Sequence, residues 1–145
     1  MGSLKKELPP GTVVIADDYF NLWNIESAYS DERAHIAPAL DSELRKKLQA
    51  IAPNHREGVY VQTRGPRFET RAEVRFLATL GEVVGMTGAS EATHCQEAGL
   101  AYAMLCMVDN FANGISTDEL SLEAFRAAVK ENESTVQDMV EKLLK

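Results

Sequence analysis

The stretch GVYVQTRGPRFETRAEVRFLATLGEVVGM, residues 58–86, decides the fold class. Residues 58–63 form a short run that is typical of a strand. Residues 70–80 then place apolar side chains on one helical side, and Gly81 follows where helices commonly end. Residues 83–86 form a second short apolar run. Strand, helix and strand in this order are typical of an α/β protein.

The segments before this stretch continue the alternation. Residues 12–16 predict a short buried strand, because the prolines and glycine at 9–11 stop any preceding helix. Residues 17–38 show no sustained period and predict a long irregular connection, of a kind that is often functional. Residues 42–52 repeat apolar side chains at helical spacing and predict a helix with Ser42 as its N-cap.

The segments after it complete the predicted fold. Residues 89–99 predict a helix with Ser90 as its cap, and the apolar run at 100–108 fits a central strand buried on both faces. Residues 121–145 predict a long amphipathic helix. Its apolar stripe comprises Phe125, Val129, Val136, Met139, Val140 and Leu143. We therefore predict one α/β domain over residues 1–145, with a mixed, mostly parallel sheet flanked by helices.

Composition excludes several classes of function. The 145 residues contain 15 Lys and Arg against 22 Asp and Glu, a net charge of −7, so nucleic acid is not an expected partner. The apolar run at 100–108 is too short to span a membrane, and the charged start leaves no room for a signal sequence, so we expect a cytoplasmic protein. Cys95 and Cys106 make neither a disulfide framework nor a zinc set, and we expect reduced thiols and no metal.

Ligands of α/β proteins gather at the carboxyl ends of strands, which directs attention to the residues after the predicted strands. In residues 63–70, neither strand nor helix period explains Phe68, and Glu69 lies where a helix begins. A turn with a core phenylalanine and a glutamate favoured by the helix dipole would also explain them. In residues 85–91, glycines and Thr87 precede a helix and can present N–H and O–H groups to an anion, although a plain turn has the same composition.

The third strand end combines a carboxylate with two amide side chains. Asp109 and Asn110 follow the apolar run at 100–108, where such side chains can bind a heterocycle through hydrogen bonds. Asn113 comes next and is also compatible with a simple turn before Gly114.

Together these loops resemble the purine nucleoside phosphorylase and methylthioadenosine phosphorylase family. Its trimeric members carry a GPRFET-type loop, a GMT or GMS strand end and an Asn- or Asp-bearing loop, which match residues 65–70, 85–87 and 109–110. The EAGLAYA stretch at 97–103 and the GSL at 2–4 are also similar to the family. The resemblance implies a nucleoside-phosphorylase-like fold in which this chain corresponds to the C-terminal part and lacks the family's N-terminal segment.

The resemblance implies phosphorolysis, in which phosphate attacks the anomeric carbon of a purine nucleoside and releases the base and a sugar 1-phosphate. Inorganic phosphate is then the co-substrate, and no cofactor is expected. Asn110 and Glu69 are the implied catalytic residues. The implied substrate contacts are Phe68 against the nucleoside, Glu69 at the base edge, Met86 beneath the sugar, Thr87 at the phosphate, Asn110 at purine N7 and His35 at a neighbouring subunit's sugar end. A surface histidine is the alternative for His35.

Asn110 also bears on substrate choice. Family members with Asn at this position act on 6-oxopurines and those with Asp act on 6-aminopurines, so the resemblance favours inosine- or guanosine-like substrates, with a 5′-hydroxyl or 5′-methylthio sugar. A one-residue shift of the loop would instead present Asp109, which keeps methylthioadenosine phosphorylase as an alternative.

The family's N-terminal segment carries a glycine-rich phosphate loop and an Arg-His clamp that this sequence does not contain. We therefore expect a homo-oligomer, a trimer or a multiple of it, or a second chain that supplies the missing half. Whether this chain catalyses the reaction alone stays open. A non-catalytic remnant that binds a purine nucleoside or a partner chain is the alternative from a different class.

Overall fold

The computed structural model describes residues 1–117 and 120–145. In this part of the chain, six strands form one sheet in the order β5-β2-β3-β4-β1-β6. The strands are β1 Gly2–Ser3, β2 Val13–Asn21, β3 Arg56–Gln62, β4 Val83–Gly85, β5 Leu105–Met107 and β6 Asn110–Phe111. The helices are α1 Ser42–Ile51, α2 Arg71–Leu77, α3 Gly88–Glu97 and α4 Leu122–Leu143, with a 3-10 turn at Glu32–Ala34.

The sheet is mixed, as predicted. The β2–β3, β3–β4 and β1–β6 pairs are parallel, and the β1–β4 and β2–β5 pairs are antiparallel. The parallel β3–β4 pair is the one that the opening stretch predicts. It is joined by α2, which begins at a capping box where Thr70 accepts from the Glu73 amide and Glu73 accepts from the Thr70 amide.

Alternation along the two central strands divides the core between the faces of the sheet. Val14 of β2 and Tyr60 of β3 pack towards α3, whereas Ile15 packs towards α1 and α4. Val61 packs on the opposite side from Tyr60, against Val74 of α2. Burying one such side chain contributes about 1.5–3 kcal/mol, so these alternating residues hold the helices on both faces.

Strand β2 is longer than the predicted strand at 12–16. It continues to Asn21, and a bulge between Ala16 and Asp18 shifts its register against β3. The parallel pairing with β3 holds Asp18 and Asn21 in extended backbone, although Asp and Asn are uncommon in strands. The predicted N-caps also move: Asp41 rather than Ser42 caps α1, and Thr87 rather than Ser90 precedes α3.

The prediction of a central strand at 100–108 is wrong. Only Leu105–Met107 forms a strand, and in the described residues it lies at an edge of the sheet, paired with β2. Leu100 is 60% exposed. The apolar run is explained by packing of its later side chains: Cys106 and Val108 join the core towards α3, and Met107 joins the core towards α4.

The predicted α4 helix is present, but its apolar stripe is mostly not buried. Met139 packs against Ile15, whereas Val129 is 43% and Val140 49% exposed. The period of an amphipathic helix thus predicts the helix correctly, while the described chain covers only part of the stripe. Among the residues described, no helix combines the length and apolarity that crossing a membrane requires.

Candidate functional site

Three loops meet at one end of the sheet around a pocket of about 330 Å³. Five residues singled out from the sequence line it together: Phe68, Glu69, Met86, Thr87 and Asn110. Other lining residues come from β1, β4 and the start of α4, among them Gly2, Val84, Leu122 and Phe125. Two wider and more open grooves of about 570 and 620 Å³ lie elsewhere and contain none of the five.

Two of the three loops reach the pocket as predicted, and the third reaches it in a different way. The first two loops follow the carboxyl ends of the parallel strands β3 and β4, as expected. The third loop does not follow a parallel strand, because β5 runs antiparallel to β2. Asn110 reaches the pocket as the first residue of β6, where pairing through Gly2 places it level with Val84.

The first loop is held against the second at Gly65. This residue has a φ of 62°, in the left-handed region that favours glycine, and a Cβ atom here would overlap the Met86 sulfur. The loop is anchored on its other side by Arg67, whose guanidinium donates two hydrogen bonds of 2.8 Å to Glu73. These bonds lower the pKa of the exposed Glu73 carboxyl to about 2. Arg67 therefore braces the loop.

Glu69 lines the pocket and also a neighbouring groove that contains Thr63 and Arg67. It is 9% exposed, and its Oε1 accepts a hydrogen bond of 2.6 Å from the Thr63 hydroxyl. Its backbone carbonyl accepts a 3.1 Å bond from Asn113 Nδ2, which joins the first loop to the third. Thr70 and Glu73 perform the capping at the start of α2. Glu69 therefore makes contacts beyond the helix start, and Asn113 does more than form a turn.

One wall of the pocket is aromatic. The rings of Phe68 and Phe125 lie with their centroids 6.2 Å apart at an interplanar angle of 66°, an edge-to-face contact. Sequence reasoning placed Phe125 only in the apolar stripe of α4 and missed it as a pocket residue. No periodic signal distinguishes it from the rest of that stripe, because its role depends on where the helix begins relative to the first loop.

In the second loop, a side chain rather than the N-terminus of a helix is available to a ligand. The amides of Thr87 and Gly88 donate to the Tyr60 hydroxyl at 3.2 and 3.0 Å. The amides of Ala89 and Ser90 donate to the side-chain carbonyl of Gln62. The four amides of residues 87–90 are therefore already bonded within the protein, and the alternative of an anion held by these backbone N–H groups is not supported. The Thr87 side chain makes no capping bond and lines the pocket.

The third loop separates an amide from a carboxylate. Asn110 lines the pocket, with its Nδ2 donating 2.8 Å to the Phe111 carbonyl. Asp109 instead faces a groove along α4 and accepts a 3.0 Å bond from Asn132. It also pairs with the amino group of Met1. The backbone register thus presents the neutral amide to the pocket.

His35 does not join the other candidates. It follows the 3-10 turn at Glu32–Ala34, is exposed and is not among the pocket-lining residues described. In residues 1–117 and 120–145, no group of three or more His, Cys, Asp or Glu side chains is arranged to hold a metal.

Comparison with known proteins places the chain in a family. The sequence model of the Phosphorylase superfamily matches residues 1–145. Over 151 aligned positions, the chain is 36% identical to a probable 6-oxopurine nucleoside phosphorylase of Archaeoglobus fulgidus, covering 100% of this chain and 62% of the relative. It is 35% identical to a probable S-methyl-5′-thioinosine phosphorylase of Methanocaldococcus jannaschii, covering 97% of this chain and 60% of the relative.

A solved structure agrees in fold. The crystal structure of a Schistosoma purine nucleoside phosphorylase in complex with hypoxanthine superposes with a TM-score of 0.85 at 26% identity. The match covers 99% of this chain and 58% of that one. The chain thus spans about 60% of the length of the relatives that it matches. Because the family match extends over residues 1–145, this chain belongs to the Phosphorylase superfamily.

Proposed function

We propose that this chain forms the purine- and sugar-binding part of a nucleoside phosphorylase that acts on 6-oxopurine nucleosides. The observation that carries this proposal is the meeting of Phe68, Glu69 and Asn110 in one pocket, with Asp109 directed elsewhere. In the reaction, a phosphate oxygen bonds to the anomeric carbon as the bond from that carbon to the purine nitrogen breaks. The base leaves with the electron pair and takes a proton, and the other product is a sugar 1-phosphate.

The base end of the pocket combines apolar packing with two polar groups. Phe68 and Phe125 supply an aromatic wall against which a planar base can pack. Glu69 uses Oε1 to accept from Thr63, which leaves Oε2 to accept a hydrogen bond from the edge of a purine. Asn110 supplies a neutral amide that can donate to purine N7 without titrating.

These groups favour a 6-oxopurine over a 6-aminopurine. A carboxylate near N7 could carry a proton to a departing adenine, but Asp109 is bonded to Asn132 in a separate groove. The relatives reported above are named for 6-oxopurine nucleosides and for S-methyl-5′-thioinosine, which share a 6-oxopurine base and differ at the sugar 5′ position. Methylthioinosine is therefore an alternative substrate, with Met86 and Thr87 at the sugar and phosphate ends.

The phosphate end carries little positive charge. In the described residues, no arginine, lysine or histidine lines the pocket, and the Thr87 hydroxyl is the polar side chain left for a phosphate. Charge-assisted hydrogen bonds from cations are the stronger contacts to a dianion. We therefore propose that another polypeptide segment completes the anion site and that efficient turnover requires it.

The surface of the chain supports association with such a segment. Val129 and Val136, two exposed valines of α4, line a groove of about 620 Å³ beside Met107 of the edge strand β5. Exposed apolar faces and open strand edges favour contact with another chain. We propose that a second copy, in a trimer or a multiple of it, or a separate chain covers this face. His35 would reach a sugar only across such a contact.

Because no lysine, arginine or histidine side chain lines the pocket in residues 1–117 and 120–145, a second candidate function is also favoured, a subunit that binds purine nucleosides without turnover. The test is to measure hypoxanthine release from inosine and from methylthioinosine, with and without phosphate, while light scattering records the mass of the protein. Phosphate-dependent release supports a complete anion site formed between copies. Calorimetric binding of hypoxanthine without release supports the binding subunit. If neither release nor binding occurs, the proposal is wrong.

Two variants sharpen this measurement. Val136→Asp places a charge in the exposed stripe of α4, away from the pocket, and should lower the mass of an assembly while hypoxanthine binding is retained. Asp41→Ala removes the N-cap of α1, which does not line the pocket, and serves as the matched control for a loss of stability alone.

A further inference from the structure

The start of α3 is capped from the neighbouring strand rather than by its own N-cap residue. Tyr60 and Gln62, two residues apart on β3, point to the same face of the sheet and accept from four consecutive amides at the start of α3. Tyr60 is 0% and Gln62 6% exposed. Ordinarily the side chain of the N-cap residue, here Thr87, would satisfy one of these amides.

The hydrogen bonds of Gln62 fix the orientation of its side-chain amide. Its Nε2 donates 2.7 Å to the Ser90 hydroxyl, while its Oε1 accepts 2.7 Å from the Ala89 amide and 3.1 Å from the Ser90 amide. An amide rotated by half a turn would set its NH2 group against two N–H donors. The side chain therefore has one orientation, and it fixes the first turn of α3 relative to β3.

Tyr60 is fixed by close packing as well as by hydrogen bonds. A Cβ atom at Gly88 would lie 3.0 Å from the tyrosine ring, and one at Gly85 would lie 2.6 Å from its hydroxyl. The absence of side chains at these two glycines brings the second loop, residues 85–88, onto the tyrosine. Met86 and Thr87, the pocket residues of this loop, lie between the two contact points.

We propose that Tyr60 and Gln62 are positioning residues that satisfy the α3 amides so that the Thr87 hydroxyl is left free for a ligand oxygen. Without them, Thr87 can satisfy an orphan amide by turning its side chain back to cap the helix, with its backbone moving from a ψ of −32° towards the extended conformation of an N-cap residue. That rotation would remove the hydroxyl from the pocket. The role of the freed hydroxyl rests on the proposed function, whereas the orientation of Thr87 does not.

The test follows the threonine methyl groups by NMR in protein with selectively labelled threonine, without ligand. We expect the Thr87 methyl resonance to move by more than its line width in Tyr60→Phe and in Gln62→Leu. Gln62→Glu, whose carboxylate can accept from the same amides, should leave it close to the wild-type position. The control Asp41→Ala removes a helix cap distant from the pocket and should not move it.

Inosine affinity, measured by calorimetry with sulfate in place of phosphate so that no phosphorolysis occurs, gives the second readout. We expect it to weaken roughly fivefold in Tyr60→Phe and Gln62→Leu and to be retained in Gln62→Glu. An unmoved Thr87 methyl resonance in folded Gln62→Leu would overturn the positioning role. If wild-type protein does not bind inosine, the proposed function fails, and the methyl resonance still decides the positioning role.

Discussion

Replacing Thr63 by valine tests whether its hydroxyl holds Glu69 in the pocket. Both side chains are buried, and the bond between them measures 2.6 Å. A hydrogen bond to a charged group contributes about 1.5–3 kcal/mol to stability. Glu69 faces the pocket, where water can replace the lost donor, so we expect Thr63→Val to lower the free energy of unfolding by about 1.5 kcal/mol.

A double-mutant cycle with Glu69→Ala isolates the interaction. When Glu69 is removed, the Thr63 hydroxyl can turn to the Gly85 carbonyl, which lies 3.4 Å away, so its donor is not left unpaired. The cost of Glu69→Ala through this bond is therefore smaller than that of Thr63→Val. We expect a coupling energy of about 1 kcal/mol from urea unfolding of the four proteins.

Hypoxanthine affinity shows whether the same bond serves the site. A carboxylate freed to rotate must be immobilised again by the ligand, at about 0.5–1.5 kcal/mol, so Thr63→Val should weaken binding roughly two- to tenfold. Asp41→Ala should lower stability by about 1 kcal/mol and leave the affinity unchanged. A coupling energy near zero together with unchanged affinity in Thr63→Val would refute the idea that this hydroxyl orients Glu69.

Three further predictions concern the loops around the pocket. Asn110→Asp should shift the ratio of inosine to adenosine affinity towards adenosine, since a titratable acceptor replaces a neutral amide; an unchanged ratio in calorimetry would show that residue 110 does not contact the base. Gly65→Ala should lower the free energy of unfolding by at least about 1–2 kcal/mol in urea, because φ is positive and the methyl group meets a methionine side chain. The lowered pKa of Glu73 means that its ionised form, bonded to Arg67, stabilises the fold fully above the ordinary value of 4.5 and less as pH falls towards about 2. The difference in urea midpoint between wild type and Glu73→Gln should therefore shrink over that range, and a constant difference would contradict the ion pair.

Local pattern predicted the elements whose partners are close in sequence. The strand–helix–strand unit at 58–86 is correct because Tyr60 and Val61 alternate between two faces and Val74 and Leu77 share one helical side. These features depend only on residues within the unit. The bounds differ, since α2 ends at Leu77 rather than at residue 80, where turns satisfy the last amides.

Apolar composition did not predict correctly which element covers which apolar surface. The sequence predicts that the run at 100–108 is buried on both faces and that α4 carries one apolar stripe. In the described chain, β5 is an edge strand and Val140 is half exposed. Hydrophobicity predicts that a surface is covered but does not say by which segment, and relatives of this chain have additional length.

The five pocket residues come together, although only two of the three loops follow the ends of parallel strands as predicted. Resemblance to the family selected them as a set, and the parallel pair β3–β4 brings the first two loops together. Their roles towards a ligand stay predictions. Phe125, Tyr60 and Gln62 could not be found this way, because each acts through contacts to residues distant in sequence.

The proposed preference for 6-oxopurines depends on the register of the two-residue strand β6. Adjacent residues of a strand point to opposite faces, so a slip of one residue would present Asp109 to the pocket in place of Asn110. Two pairings with β1 oppose this slip, Gly2 with Asn110 and Ser3 with Phe111. A Cβ atom at Gly2 would meet Val84 at 3.0 Å and the Asn110 amide at 3.6 Å, so a larger residue there would press on both strands. The proposed preference therefore also depends on Gly2, and Gly2→Ala should alter the ratio of inosine to adenosine affinity in calorimetry. A ratio equal to that of the wild type in a folded Gly2→Ala protein would mean that the register is set elsewhere.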